Sequence, residues 1–415
     1  MRLHPGTPGA RSRLSSCPPR LWSLSHVLAR GAVIAVLAGS LATALAPAAS
    51  AADRGANGSI AFSQAGSQIA VRGTNGTETI LTPTGGNQGQ PAFSPAGTKI
   101  AFVQGYHLWI MNANGSNAHA VPVTGNPYEG YPAWSPNATK LAYINGSDGQ
   151  IYTVPASGGS PTRVASGITQ AADIRWSPDG TKILFGAVDS AGTHYRQIFT
   201  VSLRGSAITR VTSGGCDSIE PDWSPDGTQI AFSTSCFDGT GNIGVMPASG
   251  GTATPVALLG NASAGYPSWS PDGTEIVFAA NEGMGSEQLW ESSPANHGDG
   301  THVSATQLTH DSGQPYNTAP SWQPVHHARL AQSASSGAPG TKVTVKGSDF
   351  LSGQTVRLSF VDAHGTTTAL GSAKTPLSGG FTTTVTIPAG AAAGTGKIKA
   401  TGAGGLSATK AFTVN

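Results

Sequence analysis

Three carboxylates and one guanidinium stand at matching offsets within a repeated motif. Asp173 and Glu220 lie three residues before Trp176 and Trp223, and Arg175 and Asp222 lie one residue before the same tryptophans. Converging carboxylates can hold a hard cation such as calcium, bind a polar ligand, or serve as the acid and base of a hydrolase or lyase. With Arg175 among them they can instead form an internally paired network. Tyr131 and Tyr266 occupy the offset of Asp173 and Glu220. With Tyr128 and Tyr316 nearby, they offer ring faces on which a sugar or peptide can stack, or they serve only to pack loops.

No motif in the chain carries a complete chemistry. There is no Gly-x-Ser-x-Gly nucleophile elbow, no H-E-x-x-H, no Cys/His zinc spacing, no P-loop and no dinucleotide-binding glycine pattern in a βα context. His297, His302 and His310 share an insertion with Asp299 and Asp311, but their spacing is irregular, which reads as a solvated loop. Gly158-Gly159 and Gly250-Gly251 follow strands and read as turns.

The elements that position these residues come from an internal repeat. QPAFSPAGTKIAFV begins at Gln90, YPAWSPNATKLAYI at Tyr131, DIRWSPDGTKILFG at Asp173, EPDWSPDGTQIAFS at Glu220 and YPSWSPDGTEIVFA at Tyr266; a partial copy, APSWQP, begins at Ala319. The aromatic anchors Phe93, Trp134, Trp176, Trp223, Trp269 and Trp322 are spaced 41, 42, 47, 46 and 53 residues apart. In Ser224-Pro225-Asp226-Gly227, Pro presets φ, Asp tolerates the third turn position and Gly suits the fourth, so each copy predicts a hairpin. A third strand follows, such as QIFTVSLRG from Gln197, and then a short fourth, such as ITRVTSG from Ile208. Four antiparallel strands per 40–50 residues define a propeller blade. Residues 58–83 supply strands two to four of a blade whose first strand is missing, and APSWQP supplies a lone first strand. Joining them predicts an all-β, six-bladed β-propeller closed by strands from both ends of the domain, with no sheet edge left open.

The W-S-P-D-G-T-x-I-x-F hairpin, with the I-Y/F-x-V strand and the R-V-T or Q-L-T strand that follow, resembles the TolB-type, WD-like propeller repeat. The resemblance covers roughly residues 58–324 and implies the fold more than a function. About seven residues precede the first propeller strand after the expected cleavage, where TolB itself carries an α/β domain, and this counts against a TolB role proper. First strands of propeller blades line the axis. Gln90, Tyr131, Asp173, Glu220, Tyr266 and Ala319 should then form one ring, and Ala92, Ala133, Arg175, Asp222, Ser268 and Ser321 another. The anchor tryptophans read as structural.

Cys216 and Cys236 flank one hairpin centred near Asp226. Paired residues of an antiparallel hairpin share a nearly constant index sum, so the two cysteines leave the same end within bridging distance. A disulfide there also fits an exported chain.

Residues 1–51 read as a signal peptide: four arginines in residues 1–20, an apolar run from Gly31 to about Pro47, and Ala49-Ser50-Ala51 as the cleavage site. They hold five of the 23 basic residues and none of the 21 acidic ones, leaving a net formal charge of −3. The apparent basicity therefore belongs to the export signal, and nothing supports a nucleic-acid partner. No other segment is apolar enough to span a bilayer. Residues 52–324 are expected to form the propeller, 325–337 a linker and 338–415 a small β-sandwich. The pattern A-P-G-T-x-V-T-V-x-G-x-x-F…G-x-F…I-P-A-G…A-F-T-V in that last segment is similar to IPT/TIG-like immunoglobulin modules. With 56 Gly, 28 Pro and only 11% charged residues, composition excludes a helical bundle and agrees with many short strands and turns.

The expected protein is a secreted or cell-envelope, non-enzymatic binding or scaffold protein. It acts as a monomer on a protein, peptide or glycan, with no cofactor beyond a channel cation. The alternative is an extracellular hydrolase or lyase with an axial metal or acid site.

Overall fold

The computed structural model describes residues 56–415 except 83–85, 126–127, 169, 189–194, 238–240, 258–261, 282–285, 296–304, 311–315, 352 and 377–378. The expected signal peptide, and His297, Asp299, His302 and Asp311 of the insertion, lie outside the described residues.

Among the described residues the chain is all-β apart from a 3-10 turn at Ala403–Gly405. Six four-stranded antiparallel sheets follow one another along the chain. Sheet five shows the plan, running Ser218–Trp223, Gln229–Thr234, Asn242–Pro247 and Thr254–Ala257 in spatial order. The first strands of sheets two, three, four and six are Gln88–Phe93, Glu129–Trp134, Ala172–Trp176 and Ser263–Trp269. Sheet one is composite: Thr318–Val325 pairs with Ala56–Gln64, placing Trp322 opposite Ile60.

The turn joining strands one and two is built by its own side chains. Gly227, at φ +71°, donates its N–H to Ser224 O at 2.8 Å. Ser224 Oγ donates to Asp226 Oδ1 at 2.6 Å and accepts the Gln229 N–H at 2.9 Å, while the Thr228 N–H caps Asp226 Oδ1 at 3.0 Å. Ser177-Asp179 and Ser270-Asp272 repeat this set in sheets four and six. In sheet three Asn137 replaces Asp, and Ala138 takes φ +56° where the other copies have glycine.

A second device ties strand three to strand four. In sheet four, Thr212 Oγ1 donates to Gln197 Oε1 at 2.9 Å and accepts the Ile198 N–H at 2.9 Å. Gln288 and Thr309 do the same in sheet six. Both partners are buried, so the pair satisfies polar groups that would otherwise be stranded in the core.

Six apolar clusters join neighbouring sheets in cyclic order. Leu184 and Ile198 of sheet four meet Trp223, Ile230 and Phe232 of sheet five. Ile60 and Phe62 of sheet one meet Val277, Ala279 and Leu289 of sheet six. The first strands also touch in the same cyclic order, sheet six against sheet one included.

Beyond residue 325, a three-stranded sheet and a five-stranded sheet share one core containing Val343, Phe350, Val356, Phe360, Phe381, Ile398 and Phe412. The expected linker 325–337 is structured over much of its length. Val325 ends the closing strand, Arg329–Gln332 pairs antiparallel with Lys342–Ser348, and Ser336–Gly337 pairs parallel with Ser407–Val414. Leu330 explains the difference, since it is buried in the same core as Phe350. This second set of sheets meets the turn end of the first: Thr98 Oγ1 donates to Gly404 O at 2.7 Å, and Ala96 joins the C-terminal core.

Candidate functional site

The ring of residues three positions before each anchor shares an unusual backbone. Gln90, Tyr131, Asp173, Glu220, Tyr266 and Ala319 all take positive φ, between +50° and +55°. In sheets two to six the pairing of strands one and two slips at this point, and in sheet one the slip falls between the first two strands as well. The extra residue is a β-bulge that re-aims one side chain. Proline follows five of the six, and its missing N–H costs no ladder bond at a bulge.

The bulge side chains of some sheets brace the next sheet. Gln90 Oε1 accepts the Tyr131 N–H at 2.7 Å, and Glu220 Oε2 accepts the Tyr266 N–H at 2.7 Å. Ala319 has no such acceptor, and Ser63 Oγ of the same composite sheet takes the Gln90 N–H at 2.9 Å. Each recipient bulge is preceded by glycine: Gly89, Gly130 or Gly265. A Cβ on Gly265 would stand 2.6 Å from Glu220 Oε2. The residues at that position in sheets four and five are Ala172 and Ile219.

The ring one residue before the anchors forms a second layer. Asp222 Oδ2 accepts the Trp269 N–H at 2.9 Å, and Asp222 Oδ1 lies 3.4 Å from Arg175 Nε. Ser321 Oγ accepts the Phe93 N–H at 3.0 Å, and Trp134 donates through Nε1 to Ala92 O at 3.1 Å. The six candidate residues thus sort into two groups. Arg175 and Asp222 pair with each other, while Tyr131, Asp173, Glu220 and Tyr266 are electrostatically coupled.

Burial dominates the electrostatics of that second group. It pushes Asp173 up to about 6, against the opposing pull of Arg175 and Arg196. Glu220 is pushed up to about 8 by burial and by the neighbouring Asp173 charge. Burial and then the nearby carboxylates raise both Tyr131 and Tyr266, so their phenols are neutral walls. Asp222 is also raised by burial, with Arg175 and the Trp269 N–H pulling the other way.

Arg196 and Glu287, which flank this group, were not visible in the sequence because neither belongs to the first-strand motif. Glu129 was also missed: it is buried, its Oε2 accepts the Leu108 N–H at 2.6 Å, and burial raises its pKa. Its offset, five before Trp134, is filled by Gln88, Ser218 and Asn317 in other copies, and that run of polar residues was the available signal. Among the described residues no group of three or more His, Cys, Asp and Glu is placed to hold a metal. Oxygen atoms already capping backbone N–H groups also fit poorly with the six to eight ligands calcium takes.

Aromatic side chains mark one face. Tyr106 and Tyr128 are exposed and meet edge to face, 5.8 Å apart at 76°. Tyr195 and Tyr316 are exposed as well. All four lie at the end where the first strands begin, whereas the C-terminal sheets contact the opposite, turn-bearing end. Cys216 and Cys236 are joined at the tyrosine-bearing end of sheet five, with a Cα–Cα distance of 5.4 Å.

Sheets of four strands, each tied through its first strand to the next, are the architecture of a β-propeller. The family model for the TolB beta propeller domain matches residues 22–193 and 106–308, together more than half of the chain. The chain belongs to that family. TolB from Acinetobacter baumannii is similar in structure at 21% identity, with 64% of this chain and 67% of that chain covered and a TM-score of 0.52. A putative TolB from Agrobacterium tumefaciens is similar at 18% identity, covering 65% and 99%, with a TM-score of 0.52. Kuenenia stuttgartiensis hydrazine synthase is similar at 12% identity, covering 87% and 68%, with a TM-score of 0.51. At these identities the likeness is one of fold. No curated protein matches the chain.

Proposed function

We propose that the chain is an exported, non-enzymatic binding protein of the cell envelope or the medium. Its six sheets are the blades of one closed TolB-like propeller. The face bearing Tyr106, Tyr128 and Tyr316, together with the axial mouth at Tyr131 and Tyr266, takes a protein, peptide or glycan. The C-terminal pair of sheets is an immunoglobulin-like module of the IPT/TIG kind, serving as spacer or second contact on the opposite face. Cleavage near Ala51 releases a monomer. The disulfide supports an oxidising destination, and no helix among the described residues is long and apolar enough to cross a membrane.

One observation carries the choice of binding over catalysis. Glu220 and Asp222, two of the three axial carboxylates, are committed to backbone N–H groups of the next sheet. They act first as braces of the ring. The enzymatic reading draws on the raised pKa of Asp173 and Glu220, which suits a general acid.

The test is retention of the mature protein on peptide and glycan arrays, alongside hydrolase and lyase substrate panels. Specific retention, lost in the double variant Tyr106→Ala with Tyr128→Ala, supports the binding face. Turnover abolished by Glu220→Gln with no specific retention would replace the proposal with the enzymatic reading.

A further inference from the structure

Among the polar side chains of the bulge ring, Asp173 is the acid that braces no neighbouring sheet. It is nine-tenths buried, and among the described residues its carboxylate accepts no hydrogen bond. Its counterparts in the ring differ: Gln90 and Glu220 each cap an N–H of the following sheet. Two differences accompany the contrast: Asp is one methylene shorter than Gln or Glu, and the position before the next bulge differs. It is glycine after Gln90 and after Glu220, but it is Ile219 after Asp173, in a strand that follows the same bulged path. A buried carboxylate without donors is costly. Arg175 and Arg196 offset part of that cost through their charge, but neither is paired with Asp173: Arg175 lies against Asp222 and Arg196 is exposed.

The surroundings of Asp173 specify what would complete it. Glu220 is the neighbouring acid, with Glu287 near it, and Tyr131 and Tyr266, both uncharged, hold the same bulge position in the sheets on either side. The rings are held in place by the apolar clusters of the adjoining sheets, Tyr131 against that of Ala133 and Ile174, and Tyr266 against that of Phe62 and Val277. A cation flanked by aromatic faces and backed by carboxylates gains both ion pairing and ring-quadrupole attraction. A group that also donates several hydrogen bonds meets the need of Asp173 better than a bare metal ion, which would require more oxygen ligands than are free.

We propose that Tyr131, Asp173, Glu220 and Tyr266 form a recognition site for a primary ammonium group of a peptide or protein ligand, either its amino terminus or a lysine side chain. This deepens the binding reading above and rests on it. The ammonium enters at the tyrosine-bearing mouth, donates to the Asp173 carboxylate, and brings a positive charge into direct contact with it. The remainder of the ligand lies across the exposed tyrosines.

Calorimetric titration of the mature chain tests the site. The probes are Nα-acetyl-lysine amide, which carries only a side-chain amine, and glycylglycine amide, which carries only an amino-terminal amine. Each is compared with its fully acetylated form, and calcium chloride is titrated separately. The expected result is binding of at least one amine, about tenfold or more tighter than its acetylated form, and weakened about tenfold by Asp173→Asn. The better of the two amines identifies the source of the ammonium. Asp173→Asn preserves shape, and an unchanged melting profile shows that the variant is folded. Tyr131→Phe, which keeps the ring, should retain binding where Tyr131→Ala loses it. Equal binding of amine and acetylated probes, no binding of either, or calcium binding that displaces the amine would overturn the ammonium site. If array retention through Tyr106 and Tyr128 then persists, the binding function stands without this site. If it is also absent, both fail.

Discussion

Glu220 and Tyr266 belong to neighbouring sheets, yet the carboxylate of one caps the backbone N–H of the other at 2.7 Å, across a gap that only a glycine leaves open. Gly265 has ordinary backbone torsions, so alanine there is a test of space alone. Its Cβ would meet Glu220 Oε2 at 2.6 Å, whereas a Cβ on the equivalent Gly130 would meet Gln90 Oε1 at 3.8 Å. Gly265→Ala should therefore cost about 1–3 kcal/mol by displacing a buried acceptor, and Gly130→Ala should be close to neutral. Chemical denaturation of the two variants checks the difference, and equal costs would show that the brace contributes little.

The same carboxylate sets a pH dependence. The folded-state pKa of Glu220 rises from an ordinary 4.5 to about 8, and that of Asp173 from 3.8 to about 6. Between the ordinary and the raised values the native chain holds protons that the unfolded chain has released. Stability from these two groups is thus fully present below the ordinary values and is lost as pH rises through about 6 and then about 8. Asp179 and Asp272 are shifted downward, so their contributions change only in acid and leave this window undisturbed. Melting temperature should fall by several degrees as pH rises from the ordinary carboxylate range to about 8, and level off above it. Glu220→Gln keeps an oxygen for the Tyr266 N–H but cannot ionise, so it should flatten that fall. A variant with an unchanged slope would show that Glu220 is already ionised in the native state.

The strands were legible because each copy of the repeat spells out its turn in Ser, Pro, Asp and Gly, whose torsional and hydrogen-bonding preferences are local. Pairing of the two ends was legible by arithmetic, since the first copy lacked one strand and the last supplied one. The residues that share the bulge could also be found by offset from Trp134, Trp176, Trp223 and Trp269. What could not be read was which of them would brace a neighbour. That depends on the reach of the side chain and on whether a residue such as Gly265 or Ile219 stands on the facing strand some 45 residues away. Arg196 and Glu287 escaped for a related reason: Arg196 opens the third strand of sheet four and Glu287 immediately precedes that of sheet six, outside the motif that defined the ring. Within 325–337, expected as a linker, the burial of Leu330 in the C-terminal core was not legible, because one large apolar residue in a short polar stretch carries no periodicity and only the tertiary packing reveals it.

The Gln197–Thr212 pair is a device of sheet four that recurs in sheet six as Gln288–Thr309. Thr212 Oγ1 is both donor to Gln197 Oε1 and acceptor from the Ile198 N–H. Valine matches threonine in shape but supplies neither function. Thr212→Val should leave two buried polar groups unpaired and cost about 2–4 kcal/mol, whereas Thr212→Ser should cost about 1 kcal/mol or less. Urea unfolding of both variants distinguishes a hydrogen-bonding role from simple packing, in which valine would be the better tolerated.

The disulfide between Cys216 and Cys236 closes a loop over the hairpin of sheet five, with a sequence separation of 20. Its position follows from the bulge at Glu220. Near the turn, Trp223 pairs with Ile230 and Asp222 with Ala231; beyond the bulge, Ile219 pairs with Ser233 and Ser218 with Thr234. Continuing that shifted register two residues sets Cys216 opposite Cys236. A cross-link over a loop of this length restrains the unfolded chain by about 3 kcal/mol. Reduction, or Cys216→Ser with Cys236→Ser, should lower stability by about that amount while leaving the circular dichroism of the native sheets unchanged, because hairpin register is held independently by the Ser224-Pro225-Asp226-Gly227 turn. Loss of native structure on reduction under otherwise stabilising conditions would instead show that the bridge, and not the turn, fixes the register of sheet five and with it the placement of Glu220 on the axis.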